Sequence, residues 1–148
     1  ASKKEIVDIL RQRSRPYLFS NTLAPAIVGA SIAAFDLLEK SNDLREKLRE
    51  NTKYFREKMA SLGFDLIESV HPIVPVLFRK FDNDAKLAQQ ISKDLYDEGI
   101  YVVGFSYPVV QKGQARIRVQ ISAAHSKENL DACINSFEKV GRKHKVIS

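Results

Sequence analysis

The stretch Ala115-Arg116-Ile117-Arg118-Val119-Gln120-Ile121-Ser122 alternates without a break. Successive side chains of an extended strand point to opposite sides. Ala115, Ile117, Val119 and Ile121 therefore share one apolar face, and Arg116, Arg118, Gln120 and Ser122 share the other. A strand of this kind packs one face on a core and turns the other away from it. Downstream, Ser126 is a good N-cap for a last helix that carries Leu130, Cys133, Ile134, Phe137 and Val140 inward. Upstream, residues 106–114 read as a loop with Pro108 and Gly113, and Ile100–Phe105 as a strand rich in β-formers. Residues 83–98 are predicted helical, with Leu87, Ile91 and Leu95 on one stripe and Gly99 as the stop. Phe64–Glu68 and Ile73–Phe78 are strand candidates, and Pro75 argues that the second is an edge strand or bulged. From residue 64 the order is strand, strand, helix, strand, strand, helix. That order specifies an α+β domain, a mainly antiparallel sheet with helices on one face.

The first part of the chain reads as helices. Leu44, Leu48, Phe55, Met59 and Leu62 recur at helical spacing over 42–62, and Gly63 ends the run. Residues 24–39 are apolar nearly all round, with Pro25 at the first helical position. Such a helix is expected to be buried on several sides, which hints at a partner surface outside this chain. Residues 3–13 read as a short helix ended at Arg15-Pro16, and 17–22 as an extended segment or loop. The expected division is a helical segment, 1–62, followed by an α+β domain, 63–148.

Composition narrows the function. The 148 residues are 44% apolar and 28% charged, which is ordinary globular usage. The net charge of +6 is spread along the chain apart from Arg11, Arg13, Arg15 and the tail Arg142-Lys143-His144-Lys145. Nucleic-acid modules carry a denser basic stripe with aromatics interleaved, so no nucleic-acid partner is expected. No stretch is long and apolar enough to span a bilayer and no signal peptide is evident, so no membrane partner is expected. Cys133 is the single cysteine; it excludes an internal disulfide and lies on a core stripe. His71, His125 and His144 are far apart and form no metal pattern, and no glycine-rich phosphate loop or serine-nucleophile motif occurs.

Two features remain. Ser20-Asn21-Thr22 precedes the Pro25 helix, and a helix N-terminus with such donors attracts phosphate or carboxylate. The plainer reading is a helix cap made by Asn21 or Thr22. Arg116 and Arg118 share a strand face, and a guanidinium is a planar fork matched to a carboxylate. A solvated sheet face explains them as well.

At these two places the chain resembles a known family. Arg15–Pro25 and Tyr107–Arg118 are similar to the α-oxoamine synthases, pyridoxal-phosphate enzymes of fold type I. The resemblance covers essentially the whole chain and fits the C-terminal small domain of such an enzyme, preceded by helices. Ser20-Asn21 fits the branch that condenses glycine with acetyl-CoA and keeps the carboxylate; other branches usually differ there. Gln111 stands where that branch usually has proline. The resemblance implies a cytoplasmic or mitochondrial-matrix homodimer with pyridoxal 5'-phosphate as cofactor and glycine and acetyl-CoA as substrates. It implies that Arg118 holds the substrate carboxylate, and that Ser20 and Asn21 reach the cofactor phosphate of the other subunit. Arg116 matches no role, and His125 reads as a helix-start residue. The family's imine-forming lysine is expected upstream of Ala1, since Lys3 and Lys4 lack its glycine-rich setting. No catalytic residue is therefore assigned within this chain, and the chain alone is expected to be inactive. A sister synthase with another acyl-CoA and a non-catalytic interaction module are the alternatives.

Overall fold

A computed structural model describes residues 2–19 and 23–148. The chain forms two compact units that meet in sequence at Asn42 and Asp43. The first unit holds α1 (Lys4–Arg13), α2 (Arg15–Phe19) and α3 (Pro25–Lys40). Glu5 in the first turn of α1 and Arg11 and Arg13 in its last turn complement the helix dipole. The extended segment expected over 17–22 is corrected in its first part, since Arg15–Phe19 is helical. Ser14 breaks α1, and its carbonyl accepts from Leu18 N at 3.0 Å, starting the new turn. Pro16 lies in that first turn, where no N–H partner is needed.

The chain itself does not supply the cover expected for α3. Among the described residues, none on α1, α2 or α3 is buried, and Phe35 is 67% exposed. Apolar composition states a need for cover; it does not supply the cover.

The second unit holds α4 (Asp43–Ser61), β1 (Asp65–Leu66), β2 (Ile73–Leu77), α5 (Asp84–Asp97), β3 (Val103–Phe105), β4 (Arg116–Gln120) and α6 (Lys127–Lys143). The sheet is antiparallel throughout, in the order β1-β2-β4-β3. Val74, Val76, Ile117 and Val119 on its inner face pack with Phe55 and Met59 of α4, Leu87, Ile91 and Leu95 of α5, and Leu130, Ile134 and Phe137 of α6. Helices therefore cover one face, as the order of elements specifies. The sequence division groups α4 with the preceding helices. In the structure Phe55 and Met59 are fully buried in this core, and Asn51 Nδ2 donates to the carbonyls of Ser122 and His125 at 3.0 Å each.

The edge position or bulge expected for the Pro75 strand is corrected too, because β2 is an inner strand in continuous register with β4. Phe78 N donates to Ala115 O, and Pro72 O accepts from Ile121 N. Even-numbered residues of β2 therefore bond toward β4, and Pro75 faces the β1 side. β1 pairs only opposite Val76 and Leu77, so it ends before Pro75 and no ladder donor is missed.

Asp94 ties α5 to the end of α6. Its Oδ2 lies 2.8 Å from Lys143 Nζ and 2.6 Å from His144 Nε2. These contacts, Lys143 first, hold the carboxyl below the usual carboxylate range. A carboxyl depressed in the folded state stabilises the fold fully above its unfolded pKa, and that gain is lost as pH falls through the lower folded value. Asp94→Asn is expected to cost about 0.5–1 kcal/mol at pH 7. It should also flatten the loss of thermal stability on acidification below about pH 4. An unchanged acid limb in Tm against pH would contradict this.

Candidate functional site

Strand β4 carries the candidate arginines and is anchored at both ends. The Asp84 carboxylate is buried at the start of α5 and accepts from Ala115 N at 2.8 Å and from Ala85 N at 2.7 Å. At the far end Ile121 N donates to Pro72 O at 3.0 Å, and Ser122 N donates to His125 Nδ1 at 3.2 Å. Ser126 then opens α6 with a capping box completed by Asn129. His125 is thus a helix-start residue, as its sequence position suggests.

The strand alternation holds in full. Ala115, Ile117, Val119 and Ile121 are buried, Arg116 is half-buried and Arg118 is exposed on the opposite face. Arg118 lies opposite Pro75 on β2 and Val103 on β3, and neither neighbour offers a charge. Its guanidinium carbon sits 4.5 Å from the centroid of the Phe105 ring. Among the described residues it makes no ion pair or hydrogen bond, so its donors are open to an external acceptor. Arg116 and Arg118 line a groove of ≈ 410 Å³ with Ser69, His71, Ile73 and Pro75. One wall is set by Arg56, which donates to the carbonyls of Ile67, His71 and Ile73 at 2.8, 3.0 and 3.2 Å. An open shelf with two guanidinium groups and no carboxylate partner for either among the described residues suits a small anion.

Ser20 and Asn21, and Thr22 beside them, lie outside the described residues. The helix that follows them does bear on their reading. Ala24 is the N-cap of α3, no side chain among the described residues caps it, and no acidic residue lies in the first turn. The positive end of α3 is therefore not offset by its own first turn, which suits a phosphate. Arg118 belongs to the other unit. Cys133 is a core residue, and burial pushes its thiol up to about 11, which removes it as a nucleophile. Among the described residues no group of three or more His, Cys, Asp or Glu could hold a metal. No helix among them is long and apolar enough to cross a membrane. Sequence reading does not single out Phe105 as a neighbour of Arg118. The only signal for it is the antiparallel register of β3 and β4, which is not local in sequence.

The family profile described as aminotransferase class I and II matches residues 1–137. The chain belongs to the class I and II aminotransferase family. Within it, the chain is 50% identical over 148 residues to the 2-amino-3-ketobutyrate coenzyme A ligase of Escherichia coli K12, covering all of this chain and 36% of that protein. It is also 50% identical over 147 residues to the 8-amino-7-oxononanoate synthase of Thermosipho melanesiensis, covering 99% of this chain and 37% of that one. A serine palmitoyltransferase from S. paucimobilis, solved with a PLP–myriocin aldimine, superposes with a TM-score of 0.83 at 27% identity, covering 95% of this chain and 35% of that chain. The α-oxoamine synthase kinship read from Arg15–Pro25 and Tyr107–Arg118 is borne out, as is the fold type I small-domain architecture. The chain spans about a third of the length of the relatives it matches. Pyridoxal phosphate is the cofactor implied for the intact class I and II enzyme.

Proposed function

We propose that this chain is the C-terminal part of a pyridoxal-phosphate-dependent acyltransferase that joins glycine to acetyl-CoA, giving 2-amino-3-ketobutyrate and CoA. In reverse, the reaction completes threonine breakdown. The observation that carries this reading is Arg118, a guanidinium held in place on an anchored strand with no carboxylate of its own among the described residues. The 50% identity to the E. coli ligase along the whole chain supports it.

Each assigned residue has a physical task. Arg118 holds the glycine carboxylate through a charge-assisted fork, which fixes the orientation of the amino acid. Ser20 and Asn21, which precede α3 in sequence, would donate to the cofactor phosphate of the other subunit of a homodimer. The bound cofactor supplies the electron sink for carbanion chemistry. The exposed apolar residues of α1 and α3 suit a dimer interface in the intact protein.

A sister synthase is the second reading, favoured by the equal identity to the T. melanesiensis protein. Assay of the protein at its full encoded length separates the two. Glycine with acetyl-CoA should release CoA at enzymatic rates, whereas alanine with a pimeloyl thioester and glycine with succinyl-CoA should not. Turnover with the pimeloyl thioester alone would transfer the assignment to the sister enzyme.

A further inference from the structure

We propose that Phe105 is a positioning residue for Arg118, fixing the guanidinium so that its donors meet the substrate carboxylate. The proposal rests on the reading of Arg118 as the carboxylate clamp. An arginine side chain has four rotatable bonds, and on an exposed sheet face nothing in the chain itself holds its end in place. Here the guanidinium carbon lies 4.5 Å from the Phe105 ring centroid, well within the range at which a ring face attracts a cation. Attraction to a ring face uses no hydrogen-bond donor of the guanidinium. A carboxylate partner would occupy the donors that the substrate needs; an aromatic ring restrains the group and leaves its donors free.

The ring is itself on a fixed support. Phe105 pairs with Arg116 across the ladder, two positions along β4 from Arg118. Next to it Gly104 packs so closely on α5 that a Cβ would meet the Ala88 carbonyl oxygen at 3.0 Å. Ser92 Oγ donates to Val102 O at 2.6 Å, and Gln89 Nε2 donates to Gly104 O at 3.4 Å. An edge strand with only three residues in the ladder is thereby tied to a helix along its length. Phe105 is only half-buried and does not belong to the hydrophobic core cluster. Core packing therefore does not account for an aromatic side chain at this position.

The test uses the full-length holoenzyme with Phe105→Leu, Phe105→Tyr and Arg118→Gln. Glycine binding is read by calorimetric titration, and KM for glycine and for acetyl-CoA by steady-state kinetics. Phe105→Leu should weaken glycine binding and raise its KM about fivefold. It should change kcat and the KM for acetyl-CoA less than about twofold, while Phe105→Tyr stays near wild type. If Phe105→Leu leaves glycine affinity unchanged while Arg118→Gln abolishes it, the positioning role is overturned and the clamp stands. If both substrates weaken together and Tm falls by several degrees, Phe105 is structural and the proposal is overturned. If Arg118→Gln itself leaves glycine binding unchanged, the clamp reading fails first, and Phe105 has nothing to position.

Discussion

Arg118→Gln is expected to lower kcat/KM for glycine at least about a hundredfold. A bidentate guanidinium–carboxylate contact comprises two charge-assisted hydrogen bonds, each contributing about 1.5–3 kcal/mol. Every 1.4 kcal/mol is roughly a factor of ten. Glutamine keeps a donor but loses the charge and the fork. Arg118→Lys keeps the charge without the planar fork and should recover only part of the loss. The side chain is exposed and makes no ion pair among the described residues. Tm should therefore move by no more than about 2 °C, since exposed sites with no such partner cost within about 0.5 kcal/mol. A large Tm shift with unchanged glycine kinetics would make Arg118 a structural residue instead.

Phe137→Ala is expected to have the largest effect on stability. Phe137 is 1% exposed and meets Phe55 edge-on at 6.5 Å and Phe64 edge-on at 5.9 Å between ring centroids. It thus joins α6 to α4 and to the start of β1. Truncating a buried phenylalanine costs about 3–5 kcal/mol, from lost transfer energy and the cavity left behind. A domain of this size has about 5–15 kcal/mol in all. Thermal unfolding should therefore occur more than about 12 °C lower. Phe137→Leu, which keeps most of the volume, should lose less than half as much. A Phe137→Ala protein melting within a few degrees of wild type would mean that the core closes elsewhere.

The second unit was legible where its signal was local. The period-two pattern of Ala115–Ser122 gave β4 its buried and outward faces, and Ser126 gave α6 its start, both as the structure has them. Apolar spacing gave α4 and α5. The departures all involve neighbours that are distant in sequence or outside the chain. Pro75 reads as an edge residue because sequence does not show that β1 stops before reaching it. The apolar stretch of α3 reads as buried because composition does not show whether anything covers it. Residues 17–22 read as an extended segment or loop after a stop at Arg15-Pro16 because the pre-proline preference is a local bias, which the turn started by Ser14 overrides over Arg15–Phe19. At the candidate site, alternation put Arg118 on the outer face. Its contact with Phe105 depends on the register of two strands joined by a long loop. The roles proposed for Ser20 and Asn21 rest on family resemblance, since the residues alone read more plainly as a helix cap.

The most direct test is a crystal structure of the full-length protein with glycine bound. The account predicts both carboxylate oxygens about 2.7–2.9 Å from guanidinium nitrogens of Arg118, with that group still over Phe105. A glycine carboxylate held by a different cation, with Arg118 turned to solvent, would contradict it.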